Sequence, residues 1–447
     1  MTDSTLPTIK LSPNRHFLVT EDGKPFFWLG DTGWNMFHRL TQEEVSHYLD
    51  QRARQGFTVI QASFISEHDG IGANVHGDQA IHDEDPAQPN ESFFRVVDTY
   101  LDLAARRGIY VAALPTWGHR VLPLWSANRA IFTVENARIY GRWLGQRYRD
   151  QTNIIWCLGG DRPAVHEGVD YRPVWRSMAQ GLREGGSPVP FTYHPMGGKS
   201  SADWLNDEDW LDIHMIQSGH GEGPDVPTWE KIEYGFNLKP VRPILDGEPN
   251  YEDHPISPWP AWTPDKGYYR DFDVRKQCYR SVFAGGCGVT YGHQAIWQVN
   301  GPRYAAINHP DRTWLDALTR PAAEQVIHLR RLIESRPGLE RLPDQGLLAA
   351  VPAGKAEHTR ALRDAAGSYA MVYLPSYQSV TLKTGIIRGA RLKAWWYNPR
   401  SGNSAVIGEF ANTGELCFTT PLDGPDWVLV IDDASLGYAA PGVGQAI

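Results

Sequence analysis

Two carboxylates follow short apolar segments that have the composition of buried strands. Asp161 follows residues 153–158 and two glycines, and Glu248 follows residues 241–245 and Asp246-Gly247. Where two carboxyl groups face each other across a pocket, one protonates a leaving oxygen while the other attacks carbon or activates water, which is how acetals are hydrolysed. These residues therefore predict a two-carboxylate hydrolytic site.

The elements that must position these groups form an alternating series of strands and helices. The predicted strands are 25–29, 58–65, 109–114, 153–158, 190–193, 211–216, 241–245 and 288–291. Eight such units predict the α/β class and a (β/α)8 TIM-type barrel, in which reacting groups stand at the carboxyl ends of the strands. An open doubly wound sheet is the alternative, but it calls for a glycine-rich phosphate loop after the first strand, and residues 30–34 (Gly-Asp-Thr-Gly-Trp) do not supply one.

After about Gly346 the alternation of strands and helices gives way to short strand-like segments alone. Short strand-like segments separated by turn residues are predicted at 347–351, 368–374, 379–382, 391–397, 404–407, 416–419 and 427–431. This spacing predicts a small C-terminal β-sandwich, and so a barrel domain over residues 1–344 and a second domain over 345–447. The second domain would either pack against the barrel and stabilise it, the interpretation we favour, or bind sugar.

Other polar and aromatic residues also follow the predicted strands. Glu67 and His68 belong to this set, and the side chains expected to bind substrate hydroxyls are Asp31, His119, His194, Gln217 and His293. Tryptophans can form the walls of a sugar site because an indole face matches the apolar face of a sugar ring. The candidates for these walls are Trp34, Trp117 and Trp297.

Three segments in this order resemble a known family. Phe27-Trp28-Leu29-Gly30-Asp31-Thr32-Gly33-Trp34, Trp156-Cys157-Leu158-Gly159-Gly160-Asp161 and Asp246-Gly247-Glu248-Pro249 are similar to motifs of the apiosidase-like barrels of glycoside hydrolase family 140. The segment 394–402 resembles the β-domain that usually follows that barrel. The resemblance implies a retaining exo-glycosidase with Asp161 as acid/base and Glu248 as nucleophile. In most relatives of the wider clan a Glu after an Asn takes the place of Asp161, which here follows Gly160.

The roles implied by the resemblance lead to further expectations. Burial and the nearby charge of Glu248 should raise the pKa of Asp161, so that it holds a proton near neutral pH. The two carboxyl groups should lie about 5 to 5.5 Å apart in a retaining enzyme and about 6.5 to 9.5 Å apart in an inverting one. Glu252, close to Glu248 along the chain, is expected to orient a neighbour. The resemblance suggests a terminal apiose or another pentosyl or furanosyl unit as the substrate.

Composition excludes several other classes of function. The net charge of −9 comes without a basic stripe, so nucleic acid is not an expected partner, and no apolar run of membrane-spanning length is present. The absence of a signal-peptide pattern and the four scattered cysteines favour the cytoplasm. We expect no cofactor and no metal, and the sequence leaves the oligomeric state open.

Two alternative functions use the same barrel mouth. The first is a sugar-binding protein without catalytic activity. The second is a metal-assisted hydrolase that uses Asp31, His194 and His293.

Overall fold

The computed structural model describes residues 6–126, 128–257, 259–352 and 354–444. The strands in this part of the chain are β1 (Ile9–Leu11), β2 (Leu18–Thr20), β3 (Pro25–Phe26), β4 (Trp28–Thr32), β5 (Val59–Ser63), β6 (Tyr110–Leu114), β7 (Ile154–Gly159), β8 (Val165–His166), β9 (Val169–Asp170), β10 (Phe191–His194), β11 (Lys199–Ser200), β12 (His214–Gln217), β13 (Ile244–Asp246), β14 (Gly288–Tyr291), β15 (Arg341–Pro343), β16 (Arg360–Asp364), β17 (Tyr369–Leu374), β18 (Ser379–Lys383), β19 (Arg391–Tyr397), β20 (Ser404–Ala411), β21 (Glu415–Thr419) and β22 (Trp427–Asp433). The α-helices are α1 (Met36–Arg39), α2 (Gln42–Arg54), α3 (Glu91–Ala105), α4 (Val134–Arg147), α5 (Arg172–Glu184), α6 (Ala202–Leu205), α7 (Thr228–Phe236), α8 (Asp271–Phe283), α9 (Trp314–Ala317) and α10 (Pro321–Glu334).

Eight parallel strands form a TIM-type barrel. They are β4, β5, β6, β7, β10, β12, β13 and β14, and β14 pairs with β4, which brings the last strand back to the first. Between β10 and β12 the backbone N–H groups of Asp212 and Ile213 both donate to the carbonyl oxygen of Phe191 at 3.0 Å. The short strand β11 adds to β12 in antiparallel orientation. The pairing of β14 with β4, together with the hydrogen bonds that join β10 to the start of β12, closes the strands into a ring and excludes the open doubly wound sheet.

The barrel strands are apolar because both of their faces are covered. Every residue of β6, whose sequence is Tyr-Val-Ala-Ala-Leu, is buried. Alternate side chains point into the barrel and out towards the helices: Ala112 and Leu114 lie in the inner cluster, whereas Val111 and Ala113 lie in the outer one. The antiparallel sheet β1–β3 contributes Ile9 to the inner cluster.

Local sequence signals account for the start of several helices. A capping box formed by Thr41 and Glu44 is present at the start of α2, and Pro321 stands at the first position of α10. The strand predicted at 190–193 lies one residue later, as β10. The strand predicted at 211–216 begins a few residues later, as β12. The sequence prediction omitted helix α7, which follows β12. No helix among the described residues is both long and apolar enough to cross a membrane.

The C-terminal part of the chain is entirely antiparallel. A six-stranded sheet has the order β15-β16-β17-β22-β19-β20, and β18 pairs with β21 in a separate two-stranded sheet. The antiparallel sheet begins at Arg341, shortly before the predicted boundary at residue 345. The strand predicted at 347–351 is wrong, since residues 345–347 form a 3₁₀ turn there, and strands β15 and β16 were not predicted.

The six-stranded sheet packs on the barrel with one face and carries the two-stranded sheet on the other. Met371 and Val430 join an apolar cluster with Val282 of α8 and Val326 of α10. Two buried ion pairs cross the same interface, with Arg275 Nη2 2.8 Å from an oxygen of Asp426 and Arg336 Nη2 2.8 Å from an oxygen of Asp432. These contacts support the interpretation of this domain as a packing partner of the barrel.

Candidate active site

A cavity of about 590 Å³ opens where the barrel strands end, and both candidate carboxylates line it. Asp161 lies two residues beyond β7, and Glu248 lies two residues beyond β13. The turn that carries Glu248 is fixed by Asp246, whose side chain accepts hydrogen bonds from the Ser218 hydroxyl at 2.7 Å and from the Glu248 N–H at 3.4 Å. The two predicted catalytic residues therefore meet at one site.

The turn that carries Asp161 depends on two glycines. Gly159, Gly160 and Asp161 all have positive φ, at 84°, 113° and 55°. A Cβ atom on Gly160 would lie 2.8 Å from the Gly118 nitrogen, and one on Gly159 would lie 2.5 Å from the His194 oxygen. Glycine is required at both positions by conformation and by space, and aspartate is among the few other residues that adopt a left-handed backbone readily. The sequence Gly-Gly-Asp thus aims the carboxyl group into the cavity.

Two histidines hold the Glu248 carboxylate from either side. His194 Nε2 lies 3.0 Å from Oε2, and His220 Nε2 lies 3.2 Å from Oε1. On each ring the other nitrogen accepts a backbone hydrogen bond: the Asp161 N–H donates to His194 Nδ1 at 3.2 Å, and the Tyr251 N–H donates to His220 Nδ1 at 3.4 Å. A neutral histidine whose Nδ1 accepts carries its proton on Nε2. Both rings therefore present an N–H to Glu248.

This arrangement keeps Glu248 ionised. Burial raises the pKa of the carboxyl group, but the hydrogen bonds from His194 and His220 outweigh it and hold the pKa well below its usual value. An anionic carboxylate in a cavity with aromatic walls has the charge that a nucleophile needs.

Asp161 has the opposite electrostatic environment. Burial and the charges of Glu67 and Glu248 raise the pKa of Asp161 to about 7, although Arg162, whose Nη1 lies 3.1 Å from Oδ2, lowers it. The same guanidinium reaches Glu67, with Nη2 3.2 Å from Oε1, and burial also raises the pKa of Glu67. Asp161 therefore holds a proton near neutral pH, as a general acid must.

Tryptophans form most of the apolar wall. Those lining the cavity are Trp34, Trp117, Trp125, Trp259, Trp262 and Trp297. Trp34 and Trp117 meet edge to face with ring centroids 5.0 Å apart, and the Trp34 indole N–H donates to the Tyr251 hydroxyl at 2.9 Å. The predicted residues Trp34, Trp117, Trp297 and Gln217 all line the cavity, and His194 lies behind Glu248.

Asp31 is not among the cavity residues. Strand β4 alternates its side chains, so that Trp28 points into the barrel while Leu29 and Asp31 point outwards. Asp31 is fully buried and accepts hydrogen bonds at 2.6 Å from both Arg52 Nε and the Tyr48 hydroxyl of α2. The prediction that Asp31 binds substrate is corrected by this geometry, because Asp31 joins the barrel wall to a helix.

His119 and His293 also lie away from the lining. His293 Nε2 is 3.0 Å from an oxygen of Asp253, in a cluster with Arg312 and Arg320. His119 is fully buried in the turn after β6, where burial lowers its pKa to about 3 and keeps the ring neutral. The expected substrate contacts of both histidines are therefore corrected: His293 contacts Asp253, and neither ring is among the residues that line the cavity.

Several cavity residues carried no readable sequence signal. His220, Trp259 and Trp262 lie in long loops after β12 and β13, where no periodicity points to a role. Glu67 was one of the strand-end residues in the sequence, but its link to Asp161 through Arg162 depends on the fold.

The metal-assisted alternative loses its proposed ligands. Asp31 contacts Arg52, His194 contacts Glu248 and His293 contacts Asp253, so the three residues do not meet. Within residues 6–126, 128–257, 259–352 and 354–444, no group of three or more His, Cys, Asp or Glu side chains is placed to hold a metal ion.

Two family models match successive parts of the chain. The family model "Apiosidase-like, catalytic domain" matches residues 12–340, and the model "Putative collagen-binding domain of a collagenase" matches residues 342–432. No curated protein sequence matches the chain.

Solved structures of glycoside hydrolases resemble the whole chain. One described as a glycoside hydrolase is 31% identical, covers 96% of this chain and 97% of its own, and has a TM-score of 0.87. A family 5 glycoside hydrolase from Bacteroides vulgatus is also 31% identical, with coverages of 98% and 95% and a TM-score of 0.88. A β-L-arabinopyranosidase from Geobacillus stearothermophilus, at 12% identity, coverages of 92% and 97% and a TM-score of 0.54, shares the fold alone. The family model covers most of the chain, which therefore belongs to the apiosidase-like family and carries a glycoside hydrolase catalytic domain.

Proposed function

We propose that this protein is a retaining exo-glycosidase that works by double displacement. Asp161 donates its proton to the glycosidic oxygen while Glu248 attacks the anomeric carbon, so that the leaving group departs as an alcohol and a glycosyl ester forms. Asp161, now a carboxylate, then takes a proton from water, which attacks the anomeric carbon and releases the sugar and Glu248. The observation that carries this proposal is that two carboxyl groups with opposite surroundings line one cavity: Glu248 lies between two histidines, which hold its pKa well below its usual value, whereas burial and neighbouring carboxylates raise the pKa of Asp161 to about 7.

His194 supports the division of roles. Its Nδ1 accepts from the backbone of Asp161, and its Nε2 faces Glu248, so that one ring fixes both reacting residues relative to each other. The same contacts keep the ring from turning. A fixed spacing of acid and nucleophile lowers the entropic cost of reaching the transition state.

We propose a neutral glycone, and a terminal pentosyl or furanosyl unit such as apiose on the strength of the family. Among the described residues that line the cavity there is no Lys or Arg, whereas Glu67, Asp161, Glu222 and Glu248 are all acidic. A sugar carboxylate or phosphate would meet the ionised Glu248 there and no lining cation to bind it, since Arg162 is already paired with Glu67 and Asp161. A glycoside of an uncharged sugar should be hydrolysed at least about tenfold faster than its uronic-acid counterpart, given the cost of like-charge contact.

A panel of aryl glycosides, furanosides included, tests the proposal. Wild type should release the chromophore from one sugar class. Glu248→Gln should lose that activity, and Asp161→Asn should lose it for aglycones that need protonation to depart, while the circular dichroism spectra of both variants stay unchanged. Glu252→Gln is the matched control, because Glu252 is buried and bonded to Tyr291 and the Ala322 N–H outside the cavity. Full activity in either cavity variant would show that the substituted carboxyl group is not the catalytic one. Binding of free sugars without hydrolysis of any glycoside would favour the non-catalytic alternative.

A further inference from the structure

Two tryptophans at the rim of the cavity are unusually exposed. Trp125 is 54% exposed and Trp259 is 61% exposed, whereas Trp34 and Trp117 deeper in the cavity are nearly buried. Large aromatic side chains left in water at a cavity mouth commonly mark a contact surface for a ligand.

The two rings come from different loops and meet each other. Trp125 follows β6 and Trp259 follows β13, and their ring centroids are 6.1 Å apart with the planes at 61°. Because the rings meet edge to face and both are more than half exposed, the pair forms one continuous aromatic surface at the rim. We call Trp125 and Trp259 the rim pair.

The position of Arg162 shows which side of the cavity the rim pair serves. The guanidinium carbon lies 4.6 Å from the centre of the Trp125 ring, and Nη1 of the same group lies 3.1 Å from Asp161 Oδ2. Arg162 is almost fully buried, so this cation–π contact holds Trp125 next to the acid. In the proposed reaction Asp161 protonates the leaving oxygen, which means that the leaving group lies on the side of Asp161.

We propose that the rim pair is a leaving-group subsite for a ring with a flat apolar face, either a second sugar or an aryl aglycone. This inference rests on the proposed function. A sugar ring offers C–H groups on its faces and an aryl group offers its π surface, and both stack on indole. The absence of Lys and Arg from the described lining also favours an uncharged leaving group.

The test compares leaving groups on one glycone. For wild type, Trp125→Ala and Trp259→Ala, kcat/KM is measured with an aryl glycoside, a disaccharide and a methyl glycoside of the same sugar. Each variant should lower the ratio of kcat/KM for the stacking substrate over the methyl glycoside by about tenfold, the size of one lost aromatic contact. A loss with the disaccharide alone would identify a sugar as the occupant, and a loss with the aryl glycoside alone would identify an aglycone.

Controls separate stacking from structural damage. Trp125→Phe keeps an aromatic face and should recover most of the ratio. Tyr377→Ala removes an aromatic residue of similar exposure, 59%, from the C-terminal domain and should leave the ratio unchanged. An unchanged ratio in both rim variants would overturn the proposal.

A binding measurement keeps this inference separate from the proposed mechanism. Calorimetry with the Glu248→Gln variant measures the affinity for intact glycosides, and so the contribution of the rim pair to binding, without hydrolysis. Tighter binding of the stacking glycoside that is lost in Glu248→Gln/Trp125→Ala supports the subsite even if Glu248 proves not to be the nucleophile. Equal affinity for stacking and methyl glycosides would overturn it even if the mechanism is correct.

Discussion

Glu248 and Asp253 lie on the loop that follows β13, and each has a histidine Nε2 3.0 Å from one carboxylate oxygen. Their surroundings differ. Glu248 lines the cavity with two histidines as its partners, whereas Asp253 is fully buried among Arg270, Arg312 and Arg320. The pKa of both is held low, against the effect of burial, by hydrogen bonds. In the proposed mechanism, a carboxylate–histidine pair can react only where it meets a cavity and is not neutralised by cations.

Glu252 and Asp161, two carboxyl groups with a raised pKa, also differ in whether they reach the cavity. Burial raises the pKa of Glu252 to about 7, the value that Asp161 also reaches. Glu252, however, accepts hydrogen bonds from the Tyr291 hydroxyl at 2.8 Å and from the Ala322 N–H at 3.1 Å, away from the cavity. A raised pKa alone therefore does not identify the acid, and access to the cavity distinguishes the two.

The largest expected effect is on the nucleophile. Glu248→Gln removes the attacking carboxylate and should lower kcat by on the order of 10⁴-fold. Asp253→Asn should retain most of its kcat per folded molecule, because Asp253 does not line the cavity. Steady-state kinetics on the purified, folded variants measure kcat for each. Equal losses of kcat in Glu248→Gln and Asp253→Asn would contradict the distinction drawn between these two carboxylates.

Substitution of the proposed acid should lower kcat less than substitution of the nucleophile, and the size of the loss should depend on the leaving group. Asp161→Asn should lower kcat about 10²- to 10⁴-fold with poor leaving groups and much less with a dinitrophenyl glycoside, which departs without protonation. Added azide should restore turnover and give a glycosyl azide, because it needs no general base. Glu252→Gln serves as the control with a similar pKa, and a uniform loss across leaving groups would contradict the role of Asp161.

Stability should respond in the opposite order. Asp253→Asn leaves three arginines around a neutral side chain and should lower the free energy of unfolding by about 3 kcal/mol, as the loss of one partner of a buried ion pair does. Asp161→Asn should raise the free energy of unfolding most at pH 7 and above. Asp161, with its pKa raised to about 7 in the folded state, destabilises that state increasingly from about pH 4, where the unfolded chain ionises it, up to about pH 7, and by a constant amount above. Urea denaturation at pH 5 and pH 8 measures both, and a stabilising Asp253→Asn would refute the structural role.

A smaller shift is expected in the pH profile. Asp161 must be protonated to act as an acid, so kcat/KM should fall as pH rises through about 7. Glu67→Gln removes a negative charge that raises the pKa of Asp161, and the falling limb should move to lower pH. Glu222→Gln, which changes another acidic residue of the lining, is the comparison, and an unmoved limb in Glu67→Gln would show that the two carboxyl groups are not coupled.

The smallest expected effect is that of a chelator. The ligands of the metal-assisted alternative are separated in the fold, so incubation with EDTA should leave kcat unchanged. Restoration of a chelator-treated enzyme by Zn²⁺ would revive that alternative.

The fold and the meeting of Asp161 and Glu248 at one cavity were predictable from the sequence for physical reasons, whereas the catalytic roles of the two residues stay a prediction. Apolar segments alternating with helices predict a barrel, and glycine-flanked carboxylates after the fourth and seventh strands predict the site, because strand ends converge at one mouth. The capping box at Thr41 was readable because its contacts are local. The cytoplasmic location stays a prediction.

The remaining contacts depend on tertiary structure. Asp31 was assigned to the mouth although the two-residue period of β4 puts it on the same outer face as Leu29. His220 and the rim pair could not be found, because long loops have no periodicity and reach the cavity only once the barrel has closed.

The covalent intermediate tests the central claim most directly. Asp161→Ala, mixed with a dinitrophenyl glycoside of the sugar that the panel identifies, should accumulate a glycosyl-enzyme, since the first step needs no acid and the second lacks its base. After an acid quench, peptide mass spectrometry should locate one glycosyl residue on Glu248. A label on another residue, or no label together with a product of inverted anomeric configuration, would contradict the assignment of Glu248 as the nucleophile.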